Sequence, residues 1–177
     1  MADVTSELII ASLGILGTVL GVLLTHFLER RRTSDKELFL AWQVAFDRPA
    51  WRGPYRWYSD HANYDKALAE TIKAVDTGEG AGLKRGAGKA YIKNRRRRAE
   101  MDRVAVLLQE LSILVPRFVE EYPVWGEESA AKAAQTRDAI DRRRDEIVSR
   151  LNAQWTDLGI RELPLPTQVR LDEARRE

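Results

Sequence analysis

The densest concentration of side chains that could bind a ligand is a basic segment in the middle of the chain. Residues 83–99 carry eight basic and no acidic side chains. Glycines followed by a basic first helical turn predict an anion-binding site, because the N–H groups of a helix start add to the side-chain charge. The candidate anion-binding and lipid-binding residues are Lys84, Arg85, Lys89, Lys93, Arg95, Arg96, Arg97 and Arg98, together with Arg30, Arg31 and Arg32 nearer the amino end.

Three interpretations of this charge are open. Basic residues attract anionic lipid at a membrane surface, and they bind nucleic-acid phosphates without reading base sequence. The third interpretation is a solvated loop, or one neutralised by acidic faces of the same domain or of a neighbouring subunit. A P-loop is excluded, because Leu83 stands where the first glycine is required and Ala90 replaces the hydroxyl residue that binds magnesium.

A second candidate site is a loop in which aromatic and guanidinium side chains alternate. Such side chains stack on bases, lie at a membrane interface, where Trp and Tyr accumulate, or form a recognition surface of the residue types found at binding hot spots. The alternative is that the rings fill the core of the domain while the arginine head groups extend to solvent. The residues are Arg48, Trp51, Arg52, Tyr55, Arg56, Trp57 and Tyr58.

Signals for catalysis are weak. His61 precedes Asp65 by four residues, but two ligands on one helical face fall short of a metal site. The chain has no cysteine, and it contains none of the common nucleophile, zinc-hydrolase or kinase motifs. We therefore expect no catalytic residue, no metal and no cofactor, with a small membrane effector or enzyme of unrecognised site as an alternative.

The element expected to position these residues is an uncharged run of 21 residues, Leu8–Leu28. A helix of that length, at about 1.5 Å per residue, crosses about 30 Å of hydrocarbon. Basic residues follow the run at 30–32 and none precedes it, which places the amino end outside. The sequence thus predicts a retained single-pass helix in the inner cell membrane, after an extracytoplasmic leader at residues 1–7.

Small residues recur along one side of this run. Gly17 and Gly21 form a GxxxG pair, with Gly14 and Thr25 on the same side. Such spacing lets two helix backbones approach closely and predicts a homo-oligomer. The alternative is that glycine is simply common in membrane helices.

The rest of the chain has helical periodicity almost throughout. Ser34 and Glu37 form a capping box that predicts a new helix over residues 37–46. A helix is predicted over 63–77, closed by Gly78. Two longer helices over 95–122 and 129–158 are predicted to form an antiparallel hairpin, with Pro116 kinking the first of them.

The predicted fold is all-α, with one N-terminal transmembrane helix (8–28) followed by a small cytoplasmic helical bundle that contains a long antiparallel hairpin. The cytoplasmic domain covers residues 29–160 and a polar flexible tail covers 161–177. The predicted function is that of a non-enzymatic, membrane-anchored interaction protein, which self-associates through its span and binds a partner protein or the anionic leaflet. The main alternative is a membrane-tethered nucleic-acid-binding protein.

Overall fold

The structure is a computed structural model that describes residues 2–48, 51, 57–79, 88–121, 127–168 and 175. Within the helices, the side chains of residues 2–16, 30–32, 57–62, 121 and 127–129 are outside this description. The described residues form helices and no strand, as the periodicity predicts. The helices are α1 (Ala2–Phe46), α2 (Trp57–Thr77), α3 (Arg95–Glu121) and α4 (Glu127–Asp157), with a 3₁₀ turn at Lys89–Tyr91.

The predicted hairpin is formed by α3 and α4, whose observed ends lie within two residues of the predicted ones. The two helices bury apolar side chains at three- and four-residue spacing, so that each presents one apolar stripe to the other. Pro116 lies inside α3. The stripes are Met101, Val104, Leu108, Leu111, Val115 and Phe118 on α3, and Ala133, Ile140, Ile147, Leu151 and Trp155 on α4.

Helix α2 ends where the sequence predicts. Gly78 adopts a left-handed φ of 77°, which glycine accepts without steric cost. Its N–H donates to the Ala74 carbonyl oxygen at 2.9 Å. The same oxygen accepts the indole N–H of Trp42 at 3.0 Å, so the end of α2 is fastened to α1.

Gly88 is required for close approach to the end of α2. Its φ of −89° suits any residue, so the constraint is space and not backbone conformation. A Cβ at this position would lie 2.0 Å from the Asp76 carbonyl oxygen. One residue later, the Lys89 ammonium lies between the carboxylates of Asp76 (3.3 Å) and Asp102 (3.2 Å), and so holds the 3₁₀ turn against α2 and α3.

Helix α1 is continuous through the predicted capping box, so the prediction of a new helix after Arg32 is wrong. Residues 33–46 belong to the same helix as the apolar run. Asp35, beside Ser34, is 1 % exposed and its carboxylate accepts the backbone N–H of Lys93 at 3.0 Å. The contact between Asp35 and Lys93 therefore keeps this part of α1 helical, although the local sequence favours the start of a new helix there.

The predicted transmembrane helix is corrected by the structure. Within the described part of the chain, no helix combines the length and the apolar character needed to cross a bilayer. The predictions of a span at residues 8–28, of a single-pass membrane protein and of an inner-membrane localisation are therefore wrong.

The segment after α4 folds back on that helix. Gly159 has a φ of 65° and reverses the chain. The side-chain amide of Asn152 bonds both backbone groups of Leu163, at 2.8 and 2.9 Å. Asp145 accepts the backbone N–H of Thr167 at 3.1 Å. Part of the segment predicted as a polar tail is thus held by two polar side chains of α4.

We predict that Gly88→Ala lowers the free energy of unfolding by about 2 kcal/mol, because a methyl group has no space beside the Asp76 carbonyl. Gly21→Ala is the matched control, since a Cβ there meets nothing within 4 Å. The control should lose no stability and gain up to about 1 kcal/mol of helix propensity. Urea denaturation followed by tryptophan fluorescence measures both. Equal stability of the two variants would contradict the close approach at Gly88.

Candidate interaction surface

The first part of α1, residues 2–32, is here called the arm, and residues 33–46 with α2, α3 and α4 are called the bundle. Between residues 17 and 28 the arm holds seven large apolar side chains that are 50–63 % exposed. A typical monomer exposes contiguous apolar patches of only a few hundred Å². The arm is therefore the strongest candidate for an interaction surface. The seven residues are Val19, Leu20, Val22, Leu23, Leu24, Phe27 and Leu28.

The direction of each arm residue follows from helix geometry. An α-helix makes five turns in 18 residues at 3.6 residues per turn. Because α1 is one helix, each arm residue shares its direction with the bundle residue 18 positions later. The pairs are Gly17 with Asp35, Leu20 with Leu38, Gly21 with Phe39, Leu24 with Trp42 and Leu28 with Phe46.

All five of these bundle residues are buried and face the core. The matching arm residues, here called the arm face, therefore continue the core-facing stripe of α1 beyond the end of the bundle. Nothing lies within 4 Å of a Cβ built at Gly17 or Gly21. The arm face is thus an apolar, glycine-containing stripe with space in front of it.

The predicted packing residues Gly17 and Gly21 belong to this face. Gly14 lies on α1, three residues before Gly17, but its surroundings are outside the described side chains. Thr25 donates its hydroxyl to the Gly21 carbonyl oxygen of its own helix at 2.8 Å. Its polar group is therefore already satisfied and does not oppose burial.

A buried ionic cluster connects α1 to both helices of the hairpin, and it is here called the junction. Asp35 on α1 accepts a hydrogen bond from Arg97 Nη1 at 3.2 Å as well as from Lys93 N–H. Arg97 also pairs with Asp157 at the end of α4. Asp35 is fully buried while Asp157 is largely exposed. The junction therefore sets the direction in which the arm leaves the bundle.

Side chains of the basic segment form hydrogen bonds within the protein, and so have a larger structural role than the sequence predicts. Asn94 caps α3, since its side-chain oxygen accepts the N–H groups of Arg96 at 3.0 Å and Arg97 at 3.3 Å. Arg98 donates from Nη2 to the Ala90 carbonyl at 2.8 Å. The helix-start N–H groups are thus already bonded to the protein, which weakens the predicted anion site.

The structure divides the predicted basic residues into four groups. Arg98 forms one by itself, since it is exposed but its guanidinium donates to the Ala90 and Ile92 carbonyl oxygens. Lys89 and Arg97 pair with acidic side chains of the same bundle, which supports the interpretation of internal neutralisation for them. Lys93, Arg95 and Arg96 are exposed, so a phosphate-binding role for these three stays a prediction. The remaining predicted residues lie outside the described side chains: Arg30, Arg31, Arg32, Lys84 and Arg85.

Trp51 of the predicted aromatic loop is a core residue. It is 1 % exposed, and its ring centroid lies 5.0 Å from that of Phe46 and 6.0 Å from that of Tyr64. Its indole N–H donates to the Thr71 hydroxyl at 3.3 Å. This supports the packing interpretation over the recognition surface for Trp51.

The other members of the predicted loop are described only in part. Arg48 forms an ion pair with Glu70. Arg52, Tyr55 and Arg56 lie outside the described residues, as do the side chains of Trp57 and Tyr58. Their predicted role in recognition stays a prediction.

Arg144 is a buried polar residue that the sequence analysis missed. It is 2 % exposed, donates from Nη2 to the Trp51 carbonyl oxygen at 2.6 Å, and lies 3.6 Å from the Asp141 carboxylate. It therefore fixes the backbone at Trp51 against α4. Its position between Ile140 and Ile147 on the apolar stripe of α4 is the sequence signal that could have identified it.

The described residues contain no group of three or more acidic or histidine side chains placed to hold a metal ion. His26 is exposed on the arm, and the side chain of His61 is outside the described set. The most distinctive exposed surface among the described residues is the apolar arm face.

We predict that Asp35→Ala lowers the free energy of unfolding by about 3 kcal/mol, because it leaves Arg97 buried without its buried partner and removes the acceptor of the Lys93 N–H. Asp157→Ala is the matched control on the same guanidinium. Since the Asp157 side chain is 63 % exposed, its loss should cost less than about 1 kcal/mol. Chemical denaturation measures both, and a larger loss in Asp157→Ala would contradict the role given to Asp35.

No protein-family model, curated protein or solved structure matches this chain.

Proposed function

We propose that this chain is a non-enzymatic interaction protein that self-associates through the apolar arm of α1. The observation that carries the proposal is the set of seven exposed apolar side chains on a helix continuous with the bundle. A second copy of the chain offers the same surface, and a self-complementary patch is the usual basis of a symmetric dimer.

The size of the exposed patch supports association. Fully burying a leucine or phenylalanine side chain contributes roughly 1.5–3 kcal/mol, whereas association costs on the order of 4–15 kcal/mol of lost freedom. One or two exposed apolar residues cannot offset that cost. The seven residues lie within residues 19–28, about 2.8 turns of helix. A partner on the arm-face side covers Leu20, Leu24 and Leu28. In a symmetric dimer each of these is buried in both copies, so six side chains together can offset the cost.

The bundle offers fewer large apolar side chains to a partner. Ile113 and Val106 are exposed on α3, and Leu40 and Val44 are exposed on α1. In the described part of α3, charged and polar side chains separate its two exposed apolar residues. Binding of a further partner protein by the bundle, and binding of nucleic acid by Lys93, Arg95 and Arg96, stay predictions from the sequence.

We predict that Leu20→Glu with Leu24→Glu weakens self-association at least tenfold, because each substitution places a carboxylate on the arm face. The matched control is Val106→Glu with Ile113→Glu, which changes two comparably exposed apolar residues of the bundle. Sedimentation velocity over a concentration series measures the association constant. The unmodified protein and the control should exceed the monomer mass of 20.2 kDa.

Two results would contradict the proposed function. The first is a mass of 20.2 kDa for the unmodified chain at every concentration. The second is equal association of the unmodified protein and the arm variant, provided that both unfold at the same urea concentration and therefore have intact bundles.

A further inference from the structure

We propose that the arms of two copies pair antiparallel through the arm face, with the pairing centred near Gly17. This inference rests on the proposed self-association and specifies its geometry. In this register, residue i of one arm lies opposite residue 34 − i of the other, so that each amino end reaches the start of the other copy's bundle.

Steric considerations exclude the parallel alternative on this face. From Asp35 onward, the bundle occupies the side of α1 on which the arm face lies. A parallel partner helix that follows the arm face would run into the bundle beyond residue 33. An antiparallel partner ends there instead. The arm has 31 residues and is about 46 Å long at 1.5 Å per residue, and the register centred near Gly17 overlaps this full length.

Charge along α1 favours the same direction. Residues 1–7 contain Asp3 and Glu7 and no basic residue, whereas Arg30, Arg31 and Arg32 follow one another at the opposite end of the arm. Antiparallel pairing brings position 3 opposite position 31, which juxtaposes opposite charges. Parallel pairing would place three arginines beside three arginines. Exposed ion pairs contribute only about 0.2–1 kcal/mol each. They therefore influence the direction of pairing more than its affinity.

The register also matches small residues with large ones. It places Gly17 opposite Gly17 at the centre, Gly14 opposite Leu20, and Gly21 opposite position 13, which is a leucine. Alternation of large and small residues across a seam allows helices to interdigitate without voids. The open space in front of Gly17 and Gly21 leaves room for such a neighbour.

Cysteine cross-linking tests this geometry directly, because the chain contains no cysteine. Leu24→Cys and Ile10→Cys, introduced into separate full-length chains with tags of different mass, are co-expressed and oxidised. A disulfide requires Cα atoms about 4.4–6.8 Å apart. We expect a cross-linked heterodimer of the two variants and no homodimer of Leu24→Cys. Val22→Cys co-expressed with Ile10→Cys is the matched control, since Val22 lies about 160° around the helix from Leu24 and should give no cross-link.

Gly17→Cys separates failure of the inference from failure of the proposed function. Because position 17 lies near the centre of the pairing, Gly17→Cys in one chain cross-links to Gly17→Cys in the other, whether the arms run parallel or antiparallel. A homodimer of Leu24→Cys would show parallel arms, and would overturn the antiparallel geometry while the proposed self-association stands. No cross-link from Gly17→Cys, together with a monomeric mass of the unmodified protein, would overturn both.

Discussion

The buried carboxylate of Asp35 is the interaction on which the arrangement of the helices depends. It accepts the backbone N–H of Lys93 just before α3 and the guanidinium of Arg97 within its first turn. Arg97 in turn reaches Asp157 at the last residue of α4. A single side chain of α1 therefore joins the start of one hairpin helix to the end of the other. A buried charge is tolerated only with such partners. The α1 helix, the start of α3 and the end of α4 must therefore meet around Asp35.

The same contact explains why α1 does not stop at the predicted capping box. A cap at Ser34 requires Ser34 to leave the helical conformation and α1 to begin again after it. In the observed fold, Asp35 faces the core with Leu38, Phe39 and Trp42 as neighbours along one helical stripe. Two tryptophan side chains also hold α1 against the bundle. The indole N–H of Trp155 donates to the Phe39 carbonyl oxygen at 3.1 Å, and that of Trp42 donates to the Ala74 carbonyl oxygen. A helix held by these contacts continues into the arm and keeps the arm face in line with the core.

The basic segment has a structural role in the described residues. Lys89 joins α2 to α3 through two carboxylates, Arg98 binds carbonyl oxygens of the preceding turn, and Asn94 occupies the N–H groups at the start of α3. Arginines at a helix start oppose the helix dipole, and here the bonds that they make with neighbouring groups offset that cost. Among the described residues of this segment, the exposed basic side chains are Lys93, Arg95, Arg96 and Arg98.

Local sequence determined the hairpin of the bundle closely. The spacing of apolar residues predicts both ends of α3 and α4 within two residues, and Gly78 predicts the end of α2, because periodicity and chain reversal depend on near neighbours. The start of α2 at Trp57 lies six residues before the predicted one. The sequence also shows that residues 8–28 are uncharged and mostly apolar, but it does not show what surrounds these residues. Only the tertiary structure decided that α1 is one helix, that Asp35 is buried, that Trp51 packs in the core, and that Gly88 is required. Each of these depends on groups that are far apart along the chain, and such contacts leave no periodic signal in the sequence.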